Sequence, residues 1–210
     1  MVVPKFNYGD IVQFHQNDNN YYGKVEIIDE YGTWGTSSNV PSYDVFSEKD
    51  NCLFKHFKEP NLRLIAKANT VTEKAFLLAE QAHAGQKDLA GVDYIFHLIG
   101  VSQNVRDIII EEPIIATAFL HDILEDTNTR EDALSVMFPK EIVDAVRTLT
   151  RETKEAYEDY LNRVKTNEVA RIVKLADLQH NMDITRIKNP TKRDFERIEK
   201  YRKAMLFLQD

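Results

Sequence analysis

Between Leu64 and Thr70 the chain changes character, and this limits the folds open to it more than any other feature. Upstream, Gly, Asn, Ser, Tyr and Pro are frequent. Short apolar runs (Asp10 to Phe14, Tyr22 to Ile28, Tyr43 to Phe46, Cys52 to Phe54) are split by polar turns such as Gln16 to Asn20 and Tyr31-Gly32. Runs of about five residues punctuated in this way predict strands of a small barrel or curled sheet. Downstream, apolar residues recur at helical spacing. Thr70 or Thr72 caps a helix through Phe76, Ala79 and His83, which Gly85 ends. Helices are also predicted from Tyr94 to about Val105, from Pro113 through His121 and Asp122, from Pro139 through Leu149, and over 155–164, 168–187 and 192–208. A mainly α chain follows, with a small β-rich domain over 1–66 and an all-helical domain over 67–210.

Composition narrows the function. With 43% hydrophobic and 29% charged residues, a packed core is expected rather than disorder. A formal net charge of −7 opposes non-specific attraction to nucleic acid or anionic membrane, and neither is expected as a partner. One cysteine, Cys52, excludes an internal disulfide, the opening residues lack a signal-peptide core, and Ile114 to Leu120 is too short to span a bilayer. A cytoplasmic protein is expected. The oligomeric state stays open, a homodimer included. Tyr21, Tyr22, Tyr31 and Trp34 offer a binding surface, although aromatics in so small a domain are more often core and rim.

Two segments carry chemistry: Ala118 to Thr127, reading AFLHDILEDT, and Val173 to Met182, reading VKLADLQHNM. On a continuous helix, His121 and Asp122 stand about 100° apart. His121 would lie above Glu125 and Asp122 above Asp126, lining one rim with four ionisable groups. Asp177 and Asn181 share a face of the second helix. Mixed imidazole and carboxylate donors suit a divalent ion such as Mn²⁺, and also Fe²⁺, Zn²⁺ or Mg²⁺. Such an ion acidifies water and neutralises a phosphoryl oxygen, while a nearby carboxylate orients the water or takes its proton. The competing reading is a solvated helix end, since an isolated His-Asp pair is common by chance. Glu125 and Asp126 would oppose the helix dipole there, which a cation relieves.

Taken together, the motifs resemble the HD superfamily of hydrolases, and within it the (p)ppGpp hydrolase domain of RelA/SpoT-type alarmone enzymes. The resemblance covers about Val71 to Leu208. It rests on Ala82-His83-Ala84-Gly85-Gln86, Gly91, Tyr94-Ile95-Phe96-His97, Leu120-His121-Asp122 with Glu125-Asp126-Thr127, and Lys174-Leu175-Ala176-Asp177 with His180-Asn181-Met182, in matching order and spacing. In the β-rich region, Gly9-Asp10 and Gly23 resemble an SH3-like barrel.

The resemblance implies that His97, His121, Asp122 and Asp177 ligate the metal, with Mn²⁺ the expected ion. It implies that Glu125 and Asp126 activate or position water, and that Asn181 contacts the nucleotide. Lys87, Tyr160 and Arg163 are candidate substrate contacts, with Tyr157 beside the last two. His83 and His180 are expected in packing or support, and Lys174 on the helix surface or facing phosphate. The implied reaction removes pyrophosphate from guanosine-3′,5′-bis(diphosphate). Asp88-Leu89 stands where such enzymes carry a guanine-holding Arg-Lys pair, and Asp93 and Leu98 stand where they carry prolines. The metal set is therefore intact and base recognition altered, as in small stand-alone HD proteins. A chain of this length leaves no room for synthetase and regulatory domains, so hydrolysis alone is expected. Two alternatives remain: an HD hydrolase of another phosphorylated nucleotide, or a catalytically silent metal- or nucleotide-binding regulatory module.

Overall fold

The computed structural model describes residues 3–30 and 40–210. The chain divides into two compact units, Met1–Glu73 and Lys74–Asp210. Tyr31, Trp34 and the Tyr31-Gly32 turn lie outside the described residues.

The first unit holds β1 (Ile11–Gln16), β2 (Asn19–Asp29), β3 (Ser42–Ser47), β4 (Cys52–Lys58) and β5 (Leu62–Ala66). They pair antiparallel in the order β4-β3-β2-β1-β5. Asn17 and Asp18, at φ 49° and 61°, join β1 to β2. Two left-handed residues make a turn whose twist matches the strands, and Asn and Asp tolerate that conformation. A Cβ on Gly23 would lie 2.3 Å from the Phe46 carbonyl oxygen, so β2 and β3 meet closely only because residue 23 has no side chain. Phe6, Val12, Phe14, Val25, Tyr43, Val45 and Leu62 form the core. Tyr22 is buried, and Tyr21 stacks on Phe14 with centroids 5.6 Å apart. Both aromatics serve packing.

The expected mainly α class is corrected. A five-stranded antiparallel sheet fills the first unit and only about half of the chain is helical. Among the described residues β4 pairs only with β3 and β5 only with β1, and the strand order does not establish an SH3-like barrel. The physical reason lies in the pairing. β2 extends over 11 residues and β5 lies where the composition already shifts, so ladder partners, not local punctuation, set both.

The second structural class begins with α1 (Val71–Ala82), where Thr70 Oγ1 accepts the Glu73 N–H at 3.2 Å. Then follow α2 (Ile95–Arg106), α3 (Glu112–Leu120), α4 (Ile123–Asp126), α5 (Glu131–Met137), α6 (Lys140–Leu149), α7 (Tyr157–Lys165), α8 (Glu168–Asn181) and α9 (Lys192–Gln209). No helix among the described residues is long and apolar enough to cross a membrane. Every residue of α3 from Ile114 to Leu120 is buried. α8 packs on α2, α3, α6, α7 and α9 and buries Val173, Ala176, Asp177 and Leu178 among them.

Three sequence expectations change here. α3 stops at Leu120, and His121-Asp122 forms a turn, Asp122 having φ −101° and ψ 0°. In a continuing helix the Ala118 carbonyl would accept the Asp122 N–H; instead the His121 Nδ1–H donates to it at 2.8 Å. His121 and Asp122 therefore do not share one continuous helix with Glu125 and Asp126, although the Asp126 N–H still donates to the Asp122 carbonyl at 2.8 Å. α8 ends at Asn181 rather than 187, and Asp183 caps a 3₁₀ turn over Ile184–Arg186 by accepting the Thr185 N–H at 3.0 Å. α5 has no counterpart in the sequence reading, because Leu134 is its only buried residue and no apolar stripe marks it.

Candidate metal centre

Three elements of the helical unit converge. α2 carries His97, the α3–α4 turn carries His121 and Asp122, and α8 carries Asp177 and Asn181. One donor atom each from His97, His121 and Asp177 lies within 4.8 Å of the others. His97 Nε2 is 3.4 Å from Asp177 Oδ1, and His121 Nε2 is 3.7 Å from the same oxygen. Asp122 Oδ2 flanks them, 2.9 Å from His121 Nε2 and 3.7 Å from His97 Nε2. The break after Leu120 makes this possible, since it turns two consecutive side chains toward one point.

Both carboxylates are held from behind. Asp177 Oδ2 accepts from Lys174 Nζ at 2.8 Å and Oδ1 from Asn181 Nδ2 at 2.5 Å. Asp122 Oδ2 accepts from the Tyr94 hydroxyl at 2.6 Å. Burial works to raise both aspartates, yet His121 beside Asp122 and Lys174 beside Asp177 hold them well below the usual carboxylate range. Burial works to lower His121, but the Asp122 charge, supported by Asp177, carries it up to about 10. His97 is raised against burial by the same two carboxylates. The pocket thus calls for positive charge between its acids.

That demand, with the donor set, fits a divalent cation. His121 donates Nδ1–H to Ala118, which leaves the Nε2 lone pair facing the cluster in the neutral ring. Asp122 Oδ2 lies 2.9 Å from this nitrogen, which is buried and otherwise without a hydrogen-bond partner. Two imidazole nitrogens and the Asp177 carboxylate, with Asp122 beside the histidines, form the mixed N/O set of a hard-to-borderline ion.

The cluster opens into a cavity of about 370 Å³. Its wall includes Lys87, Asp88, Tyr94, Asn181, Arg186 and Tyr201. Lys87 pairs with Asp93 across a small bridged loop in which Asp88 Oδ1 accepts the Ala90 and Val92 N–H groups, each at 2.9 Å. The other expected residues have partners of their own. Exposed Glu125 accepts the Arg151 N–H at 2.9 Å. Asp126 reaches the Tyr94 hydroxyl at 3.5 Å, and burial and Asp122 raise its carboxyl. The Tyr160 hydroxyl donates to the Leu149 carbonyl at 2.8 Å, and Arg163 donates to the carbonyls of Thr148 and Thr150 at 2.8 and 3.0 Å. These two side chains bind α7 to the end of α6.

His83 is buried, bonds Gln86 through Nδ1 at 2.8 Å and stacks on Tyr94. His180 Nδ1 meets His97 Nδ1 at 2.9 Å; burial, with His97 and Arg186 nearby, pushes His180 down to about 3. Lys174 is not a surface lysine, being 17% exposed in its side chain and engaged with Asp177. Its i,i+3 spacing to Asp177 was a legible signal, as was that of Tyr94 to His97. No sequence signal marked Arg186.

Residues 75–209 match the HD domain family. A Synechocystis sp. protein named probable guanosine-3′,5′-bis(diphosphate) 3′-pyrophosphohydrolase is 32% identical over 121 residues, covering 52% of this chain and 16% of that protein. A Myxococcus xanthus protein named GTP pyrophosphokinase is 28% identical over 171 residues, covering 71% of this chain and 22% of that protein. The chain thus spans less than a quarter of the length of either relative. A solved structure described as a metazoan ortholog of SpoT that hydrolyzes ppGpp superimposes with a TM-score of 0.57 at 22% identity, over 69% of this chain and 88% of that one. That likeness concerns the fold. With the family match spanning nearly all of the helical unit and the His/His/Asp cluster inside it, the chain belongs to the HD domain family, whose hydrolases depend on a divalent metal.

Proposed function

We propose that this chain is a phosphohydrolase that removes the 3′-diphosphate from (p)ppGpp, yielding pyrophosphate and GDP or GTP. The observation that carries the reading is the meeting of His97, His121 and Asp177 within 4.8 Å, beside Asp122, at the floor of a cavity. The names of the Synechocystis and metazoan relatives support the substrate.

His97, His121, Asp122 and Asp177 are assigned as ligands of Mn²⁺, with Zn²⁺, Fe²⁺ and Mg²⁺ as alternatives. When bound, the ion supplies Lewis acidity, neutralising phosphoryl charge and favouring ionisation of water. The protein's own groups do the rest. Lys174 and Asn181 orient Asp177, and Tyr94 orients Asp122. Asp126, raised by burial and by Asp122, is the better placed of the two acids to take a proton from the attacking water, with Glu125 supporting it. Water oxygen attacks the phosphorus on the ribose 3′ oxygen, the bond from that oxygen to phosphorus breaks, and the leaving 3′ oxygen takes a proton. Lys87 and Asn181, on the cavity wall, are assigned to the nucleotide. A β-rich domain over 1–66, a helical hydrolase domain over 67–210 and a cytoplasmic location belong to the same proposal.

One observation favours a second substrate. The Asp88 side chain is 7% exposed and paired with Arg186, so the cavity presents a charge-compensated carboxylate where a guanine-holding arginine is expected. Another phosphorylated nucleotide then replaces (p)ppGpp, with the chemistry unchanged. Incubating the purified protein with Mn²⁺ and ppGpp, and resolving products by anion exchange, tests both. The expected result is GDP and pyrophosphate. Turnover of a different nucleotide with ppGpp left intact would reject the first substrate and keep the hydrolase; no turnover of any phosphorylated nucleotide would reject both.

A further inference from the structure

Behind His97 lies a chain of side chains that no ligand assignment uses. Asp88 Oδ2 pairs with Arg186 Nη2. Arg186 Nη1 lies 2.8 Å from His180 Nδ1 and 3.2 Å from the His180 carbonyl. His180 Nδ1 lies 2.9 Å from His97 Nδ1. Directions follow from donor chemistry. A guanidinium only donates, so the His180 Nδ1 it faces must accept. A hydrogen bond between the two rings then requires His97 Nδ1 to carry the hydrogen, the single His180 lone pair being shared between the guanidinium and His97. In the neutral His97 ring the Nε2 lone pair is consequently free, and Nε2 is the atom 3.4 Å from Asp177.

The backbone keeps this path open. A Cβ on Gly100 would lie 2.2 Å from His180 Nε2, so the imidazole occupies the space a side chain at position 100 would take. Asp88 is anchored as well, its other oxygen accepting the Ala90 and Val92 N–H groups at 2.9 Å. The relay therefore runs from the loop after α1, through the turn after α8, to a residue of α2.

We infer that Arg186 is a positioning residue that, through His180, fixes the ring orientation and tautomer of His97 at the cation site, with Asp88 holding Arg186 in place. The inference rests on the metal-site reading above. Loss of such outer partners typically weakens metal binding by roughly 10–100-fold.

The test uses the full chain and Mn²⁺ alone. Free Mn²⁺ is titrated by electron paramagnetic resonance, and histidine tautomers are read from ¹⁵N-labelled protein without metal, at a pH where the His97 ring is neutral. Arg186→Met, which keeps the stem and removes the donors, is expected to weaken Mn²⁺ binding roughly tenfold and to broaden or lose the Nδ1–H signature of His97. Arg186→Lys, which keeps a donor, is expected to recover part of both. Because Arg186→Met strands a buried carboxylate, the double variant Asp88→Asn/Arg186→Met guards against misfolding, and it should still show the weakened binding. Mn²⁺ affinity within twofold of wild type in that double variant, with an unchanged His97 signature, overturns the relay and spares the metal site. Failure of the wild-type chain to bind Mn²⁺ overturns both.

Discussion

At Asp122 the proposed metal site turns on one oxygen. Oδ2 lies 2.9 Å from His121 Nε2 and accepts the Tyr94 hydroxyl at 2.6 Å. Asp122→Asn keeps the shape and removes the charge. Mn²⁺ affinity should fall by more than the roughly 10–100-fold that loss of an outer partner costs, and elemental analysis after dialysis should show the metal content reduced. Turnover should fall with it; full occupancy and full turnover would remove Asp122 from the ligand set. The position of His121 explains why this pair was only partly legible. Adjacent His and Asp in the sequence marked a metal motif, but the spacing argument placed them on a helix rim with Glu125 and Asp126. The His121 imidazole instead takes the Ala118 carbonyl and ends the helix. A side chain competing for a backbone acceptor leaves no mark in apolar periodicity.

Among the elements, two junctions are open to test. α6 and α7 are joined by Arg163, whose guanidinium donates to carbonyls at the end of α6 and forms a two-pronged pair with Glu155 at 3.0 and 2.7 Å. The Arg163 hydrogen bonds hold Glu155 below its ordinary 4.5. A lowered folded value means the stabilisation is complete above the unfolded value and is lost as pH falls through the folded one. Glu155→Gln should cost about 1 kcal/mol at pH 7, and urea melts should show that deficit shrinking below pH 4.5. A deficit constant down to pH 3 would show that the charge plays no part. In the sheet, Gly23→Ala forces a methyl against the Phe46 carbonyl and should cost about 1–3 kcal/mol, because backbone cannot yield as a flexible side chain can. Unchanged thermal stability of that variant would show that β2 and β3 can part there without loss.

For the whole molecule, the two compact units predict an unequal response to metal. A ligand that binds only the native state at about one hundred times its Kd stabilises by roughly 2.7 kcal/mol. For a unit of the size of Lys74–Asp210, that corresponds to a melting shift of roughly 5–10 °C. Calorimetry with Mn²⁺ and then with excess chelator should show the shift in the transition of the helical unit. The transition of Met1–Glu73, which holds none of the assigned ligands, should stay in place. Equal shifts in both would mean that the units unfold together.

From its sequence alone the chain was committed to a β-rich start, a helical remainder and a divalent-metal set, because turn residues, helical spacing and clustered His and Asp are local properties. Local pattern also sufficed for Asp177 with Asn181, which lie one turn apart on α8. Folding in three dimensions decided the strand order, the break at His121-Asp122, the burial of Lys174 beside Asp177, and the line from Asp88 through Arg186 and His180 to His97. Those features join residues as far as 98 positions apart, and their energy comes from burial and from hydrogen-bond direction, which exist only once α2, α3 and α8 are packed together.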